Sequence, residues 1–208
     1  MKTELLPASH SGAARRAADV LRQGGLVAFP TDTVYGVGAP AFDEQAVKRL
    51  YTLKGRNTGK AIAVLLASTD DLPRVTAGLT ALGRLLADAF WPGPLTLIVP
   101  KHPDLPGAIS SLPTVGVRVP NHPVARAILA EAGPMAVTSA NRSGEKDPVS
   151  AADVLAGLKN CIQLLIDGGS TPGGIPSTVV DCTGDAPKIL RPGPITEEQI
   201  MAVIQSNP

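Results

Sequence analysis

Strand-like apolar runs at 26–29, 61–66, 95–99, 115–119, 135–139 and 163–166 alternate with segments of helical periodicity, and this alternation constrains the fold more than any other feature. Residues 13–23 form an amphipathic pattern stopped by Gly24-Gly25. Asp43 caps a helix through about Leu53, with Val47, Leu50 and Tyr51 on one face. Further helices are expected over 76–89 and 123–132. Ser150 with Asp153 makes a capping-box start for one ending near Leu158, and Thr196 with Gln199 opens a last one ending near Ile204. Two short strands, 178–181 and 188–191, come late. The order predicts an α/β fold with a mixed sheet whose functional loops gather at one rim.

The 208 residues suit one domain able to bury about 70% of its unfolded surface. The 21 glycines and 20 prolines predict many shaped loops rather than a low-complexity tract. Nineteen basic against eighteen acidic residues exclude a uniformly basic nucleic-acid surface, so any RNA contact is expected to be local, weak and salt-sensitive. One tryptophan, two tyrosines and three phenylalanines leave few platforms for stacking bases. Cys161 and Cys182 lack CxxC spacing, and the first residues lack the apolar core of a signal peptide, which predicts a cytoplasmic setting. No run approaches the ~20 apolar residues of a membrane span, so no membrane contact is expected.

Charge is nevertheless unevenly placed. No acidic residue lies between Glu44 and Asp70, whereas Lys48, Arg49, Lys54, Arg56 and Lys60 do, so the local field draws anions. Lys48 and Arg49 fit a helix end, where cations complement the dipole. Lys54 and Arg56 lie beyond it, the hydroxyl- and glycine-rich segment 30–38 is expected to be the loop after the 26–29 strand, and together they point to an anion-binding pocket. Segment 55–61 is not a P-loop: three residues separate Gly55 from Gly59, Ala61 replaces the hydroxyl residue, and a strand follows. No GxGxxG, GxSxG or HExxH occurs, and His10, His102 and His122 have no metal-ligand spacing. What remains is a set of cations and hydroxyls near strand ends, suited to catalysis by positioning and charge neutralisation, as in phosphoryl or nucleotidyl transfer.

Pro30-Thr-Asp-Thr-Val-Tyr-Gly36, Lys54-Gly-Arg56, Trp91-Pro-Gly-Pro-Leu-Thr96, Val117-Arg118-Val-Pro, Ser139-Ala-Asn141 with Ser143-Gly144, Pro176-Ser-Thr-Val-Val-Asp181 and Leu190-Arg-Pro-Gly193 resemble, in order, the motifs of YrdC-like threonylcarbamoyl-AMP synthases. The resemblance runs from about residue 10 to 204, taken as one YrdC-like domain. It implies a strongly twisted mixed sheet flanked by helices, with a concave nucleotide cavity. It also implies a nucleotidyltransferase joining L-threonine, bicarbonate or CO2 and ATP into threonylcarbamoyl-AMP and pyrophosphate, with Mg2+ accompanying ATP and no dedicated protein metal site. A tRNA threonylcarbamoyl-transferase complex would then modify the adenosine beside the anticodon of tRNAs reading ANN codons. The short, single-domain form is implied, without the C-terminal domain of longer relatives.

Residue by residue, the resemblance implies that Lys54 and Arg56 neutralise the triphosphate and departing pyrophosphate. Ser139 and Asn141 would contact phosphate oxygens or magnesium-bound water, although residues 141–144 alone also read as an ordinary turn. Arg118 would grip the threonine carboxylate, its structural alternative being an ion pair with an aspartate such as Asp181. Thr31 and Ser177 would touch threonine, Ser177 following a flexible Gly173-Gly174 loop. Thr58, Thr114 and Arg191 would be further ATP contacts, with a salt bridge as the alternative for Arg191. Asp32 and Asp181 are candidate general bases, set against a loop-fixing role. Tyr35 and Trp91-Pro92 are assigned to packing. The chain departs from the family's pattern at Asn57 and Lys60-Ala61, and it lacks a histidine in the strand that follows. The rivals are a non-enzymatic RNA-binding or ribosome-maturation factor and a protein handling another carbamoyl-adenylate, as in hydrogenase maturation proteins.

Overall fold

The structure, a computed structural model, describes residues 2–172 and 174–207. The strands are β1 (Glu4–Pro7), β2 (Val27–Phe29), β3 (Gly36–Pro40), β4 (Ala63–Leu65), β5 (Leu95–Pro100), β6 (Thr114–Arg118), β7 (Met135–Ser139), β8 (Leu164–Asp167), β9 (Thr178–Asp181) and β10 (Lys188–Arg191). The helices are α1 (Ala13–Arg22), α2 (Glu44–Lys54), α3 (Leu72–Val75), α4 (Ala81–Phe90), α5 (Pro123–Ala132), α6 (Ala151–Leu158) and α7 (Glu197–Gln205). All ten strands join one mixed sheet in the order β1-β8-β2-β3-β7-β4-β6-β5-β9-β10.

Local chemistry explains several of the helix boundaries. The Asp43 side chain accepts from the Ala46 amide at the start of α2, and Gly55 ends that helix in the left-handed region at φ 58°. The capping boxes of Ser150 with Asp153 and of Thr196 with Gln199 both form.

Three expectations are corrected. Residues 36–40 are a strand, not a loop. The segment is glycine-rich because side chains of its sheet neighbour β7 lean across it: a Cβ on Gly36 would come within 2.7 Å of Val137 Cγ1, and one on Gly38 within 2.7 Å of Met135 Cε. The helix expected from residue 76 begins at Ala81, because Thr80 caps it by accepting from the Gly83 amide. Thr76 instead forms a bridge with Lys101, its hydroxyl 2.6 Å from the Pro100 carbonyl. β1, absent from the sequence reading, pairs parallel with β8.

Strand alternation divides the side chains between two faces. On one face Val37, Val64, Leu97, Val115, Val117 and Val180 join the main core with residues of α2, α4, α6 and α7. On the other, Val27, Phe29, Leu65, Met135, Leu164 and Ile166 pack with α1 and α5. Those two helices cover only part of that face, and the uncovered remainder is a chamber. No helix among the described residues is long and apolar enough to cross a membrane.

Candidate active site

The chamber encloses about 270 Å³, and its floor is the same sheet face that α1 and α5 cover elsewhere. Small residues hollow it out: Gly36 from β3, Ala63 from β4 and Gly116 from β6 all line it. A Cβ on Gly116 would stand 3.1 Å from Thr96 Cγ2 and 3.3 Å from Ile98 Cδ1, so this strand has little room to grow. The walls carry hydroxyls from Thr31, Thr33, Thr96, Ser139 and Ser177, guanidinium side chains from Arg56, Arg118 and Arg191, and the carboxylate side chain of Asp147.

Arg118 leaves the end of β6 with its side chain 6% exposed. Its Nε donates to the Gly93 carbonyl at 2.9 Å, Nη1 to Thr33 Oγ1 at 3.1 Å and Nη2 to Asp32 Oδ1 at 2.5 Å. Three of the five guanidinium N–H groups are engaged, so two remain for a ligand. Burial lowers its pKa and Asp32 opposes that shift. The structural partner is therefore Asp32, not Asp181. Asp181 accepts from the amide and hydroxyl of Thr183 and fixes the β9–β10 turn, away from the chamber. Asp32 Oδ2 is buried without a hydrogen-bond partner, so one acceptor stays open beside Arg118.

Arg191, on the outermost strand β10, reaches back over β9. Its Nε and Nη2 donate to the Ser177 carbonyl at 3.0 and 2.8 Å, and Nη2 also donates to Ser177 Oγ at 3.1 Å. Ser177 Oγ lies 2.8 Å from Thr96 Oγ1, tying β5, β9 and β10 together at one wall. Arg191 forms no ion pair among the described residues. Burial lowers its pKa while Asp147 opposes that shift. Arg56 is held by the carbonyls of Lys60 and Ala61 at 3.2 and 3.0 Å.

Lys54 sits elsewhere than the sequence reading put it. It is buried behind the wall, where Nζ donates to the Ser139 carbonyl at 2.6 Å and to the Asn141 carbonyl and Oδ1, both at 2.7 Å. Burial lowers its pKa to about 8. Asn141 is also behind the wall. Its Oδ1 accepts from Ser139 Oγ at 2.8 Å, and its Nδ2 donates to the Glu145 carbonyl at 2.7 Å and to Asp147 Oδ1 at 3.2 Å. This is far more than an ordinary turn: Asn141 is the hub that folds residues 139–147 around Lys54.

Neighbouring loops are laced to it. The Ala140 amide donates to the Tyr35 carbonyl, the Tyr35 amide to Pro148, and the Gly174 amide to Thr33. Tyr35 Oη donates to the Gly169 carbonyl and accepts from the Gly168 amide, at 2.6 and 3.1 Å. Thr31 Oγ1 donates to the Val34 carbonyl at 2.7 Å and so shapes its own loop from the chamber wall.

Of the residues singled out in the sequence, the structure brings Thr31, Arg56, Arg118, Ser139, Ser177 and Arg191 to one chamber, with Lys54 and Asn141 directly behind Ser139. Two of the expected ATP contacts lie away from both the wall and this backing layer. Thr58 is exposed in the 55–60 loop, and Thr114 stands at the far end of β6, two residues beyond Gly116 on the same face. Gly173 lies outside the described residues. Sequence reasoning missed Thr33, Thr96, Gly116 and Asp147. The first two were legible in the quoted motifs, whereas Gly116 and Asp147 needed the fold.

A family model for Sua5, YciO and YrdC, described as "Telomere recombination", matches residues 19–193. The threonylcarbamoyl-AMP synthase of Bacillus subtilis is 45% identical over 192 residues, an overlap of 91% of this chain and 56% of that protein. The threonylcarbamoyl-AMP synthase of Chromohalobacter salexigens is 40% identical over 170 residues, covering 79% of this chain and 90% of that protein. The crystal structure of Pyrococcus abyssi Sua5 complexed with L-threonine superposes with a TM-score of 0.93 at 40% identity, over 98% of this chain and 61% of that one. The chain thus spans little more than half of the longer relatives it matches.

Proposed function

Because this chain belongs to the Sua5/YciO/YrdC family, we propose that it is a threonylcarbamoyl-AMP synthase, a nucleotidyltransferase that condenses L-threonine, CO2 or bicarbonate and ATP. The observation that carries this reading is the chamber itself: three arginines and a ring of hydroxyls over the stretch of sheet face that α1 and α5 leave uncovered, with Arg118 holding two N–H groups in reserve. A ligand with one carboxylate and a chain of phosphates matches that distribution of charge. The P. abyssi Sua5 complex with L-threonine supports the amino acid as one occupant.

The chemistry follows from these side chains. Arg118, locked by Asp32 and Gly93, takes the threonine carboxylate through its free N–H groups and fixes the amino acid near Thr31, Thr33 and Ser177. The threonine amine, having lost a proton, attacks the carbon of CO2 to give a carbamate. An oxygen of that carbamate attacks the α-phosphorus of ATP, and the bond to the β-phosphate oxygen breaks, releasing pyrophosphate. Bicarbonate as the carbon source adds one water to the products. Negative charge gathers on the leaving pyrophosphate, and fixed cations stabilise it most where water is excluded, which is the task of Arg56 and Arg191. Lys54 and Asn141 contribute by holding Ser139 in place.

The donors present suit the Mg2+ that accompanies ATP as part of the substrate. Ser139 and Asp147 offer hard oxygens on the wall, and no group of three or more His, Cys, Asp or Glu able to hold a metal ion occurs among the described residues. Phosphates and water would make up most of such an ion's shell. In the cytoplasm the adenylate would pass to a tRNA threonylcarbamoyl-transferase complex. An RNA-binding role is disfavoured by the setting of Arg118, which is too enclosed to meet a helix backbone.

Purified protein incubated with labelled bicarbonate, L-threonine and magnesium-ATP should yield a labelled adenylate and one pyrophosphate per adenylate. Pyrophosphate release that ignores threonine would overturn the assignment.

A further inference from the structure

Asp147 is the one acidic residue among the described residues lining the chamber, and the functional reading above uses it only as an oxygen donor, leaving open what its charge does to a nucleotide without metal. Its Oδ1 accepts from Asn141 Nδ2 at 3.2 Å, which fixes the carboxylate on the same hub that holds Ser139. It makes no ion pair with any arginine or lysine among the described residues. It is nevertheless close enough to oppose the lowering of pKa that burial imposes on both Lys54 and Arg191. A fixed carboxylate thus shares the wall with Arg56 and Arg191, the cations placed for a polyphosphate.

Such a carboxylate acts differently on the two forms of a nucleoside triphosphate. Towards the metal-free form, whose phosphates carry full negative charge, it is purely repulsive. Towards the magnesium complex the repulsion is offset, because the cation lies on the phosphate oxygens and attracts the carboxylate directly or through its bound water. Resting on the nucleotide reading above, we propose that Asp147 makes this chamber select the magnesium-bound over the metal-free nucleotide, through its charge.

Isothermal titration calorimetry with ATP, in excess Mg2+ and separately in excess EDTA, tests this without turnover. Wild type should bind the magnesium form more tightly. Asp147→Asn should bind metal-free ATP about tenfold more tightly than wild type does, with the magnesium form unchanged or weaker, so that the preference collapses. Asp147→Glu, which keeps the charge, should keep the wild-type preference. If Asp147 serves only to shape the 139–147 hub, Asn will alter both affinities by one factor, and that result sinks the assignment. Wild type that binds ATP in neither condition would instead take down the nucleotide reading, and this inference with it.

Discussion

Lys54 and Asn141 are joined twice, Nζ lying 2.7 Å from both the carbonyl and the side-chain oxygen of the asparagine. With the Ser139 carbonyl as third acceptor, all three ammonium hydrogens are used inside the protein. Lys54 therefore shapes the wall from behind.

Removing the ammonium should cost both stability and rate. Lys54→Met leaves buried acceptors without donors, and we expect about 2–4 kcal/mol of lost stability in urea melts, alongside a fall in kcat. Arginine should not rescue it, because a planar fork cannot replace a compact point donor.

The same group sets a pH dependence. The folded chain releases the Lys54 proton near 8, whereas the unfolded chain keeps it to its ordinary 10.5. Activity that needs the ammonium should fall as pH rises through about 8. Unfolding takes up a proton between those two values, so the contribution of this group to stability rises with pH over the same window. Rate profiles and melts from pH 7 to 10.5 check both signs, and a wild-type profile flat through 8 would contradict the first.

Arg118→Ala should be the most damaging change in the chamber. It strands the buried Asp32 carboxylate, at about 3–5 kcal/mol, and removes the carboxylate grip. Asp32→Asn keeps the guanidinium and its bonds to Gly93 and Thr33, so it should cost less stability and raise the KM for threonine more than that for ATP. Steady-state kinetics paired with thermal melts separate the two.

Arg56 and Arg191 should differ in kind. Arg56 bonds only the carbonyls of its own exposed loop, so Arg56→Ala should lower kcat by about 10²-fold or more with little change in Tm. Arg191 clasps Ser177 by three hydrogen bonds, and Arg191→Ala should weaken threonine binding as well as rate.

Helix ends and apolar strands were readable from residue order because their causes are local. Asp43, Ser150 and Thr196 cap where they stand, and α5 and β7 fall on their expected residues. β3 was not readable, because Gly36 and Gly38 look like loop residues until Val137 and Met135 are seen over them. The cation set was legible as chemistry, but its division was not. Whether Lys54 faces a ligand or the back of Ser139 depends on where β7 ends relative to α2, a long-range matter. The pairing of Arg118 with Asp32 rather than Asp181 likewise joins residues 86 positions apart.

Part of one sheet face has a roof of two helices, and the stretch that floors the chamber has none. A ligand entering there completes a layer that the polypeptide itself leaves unfinished. Saturation should therefore raise the melting temperature well beyond what loose surface attachment achieves, and the protein at rest is, in effect, a scaffold awaiting its last building block.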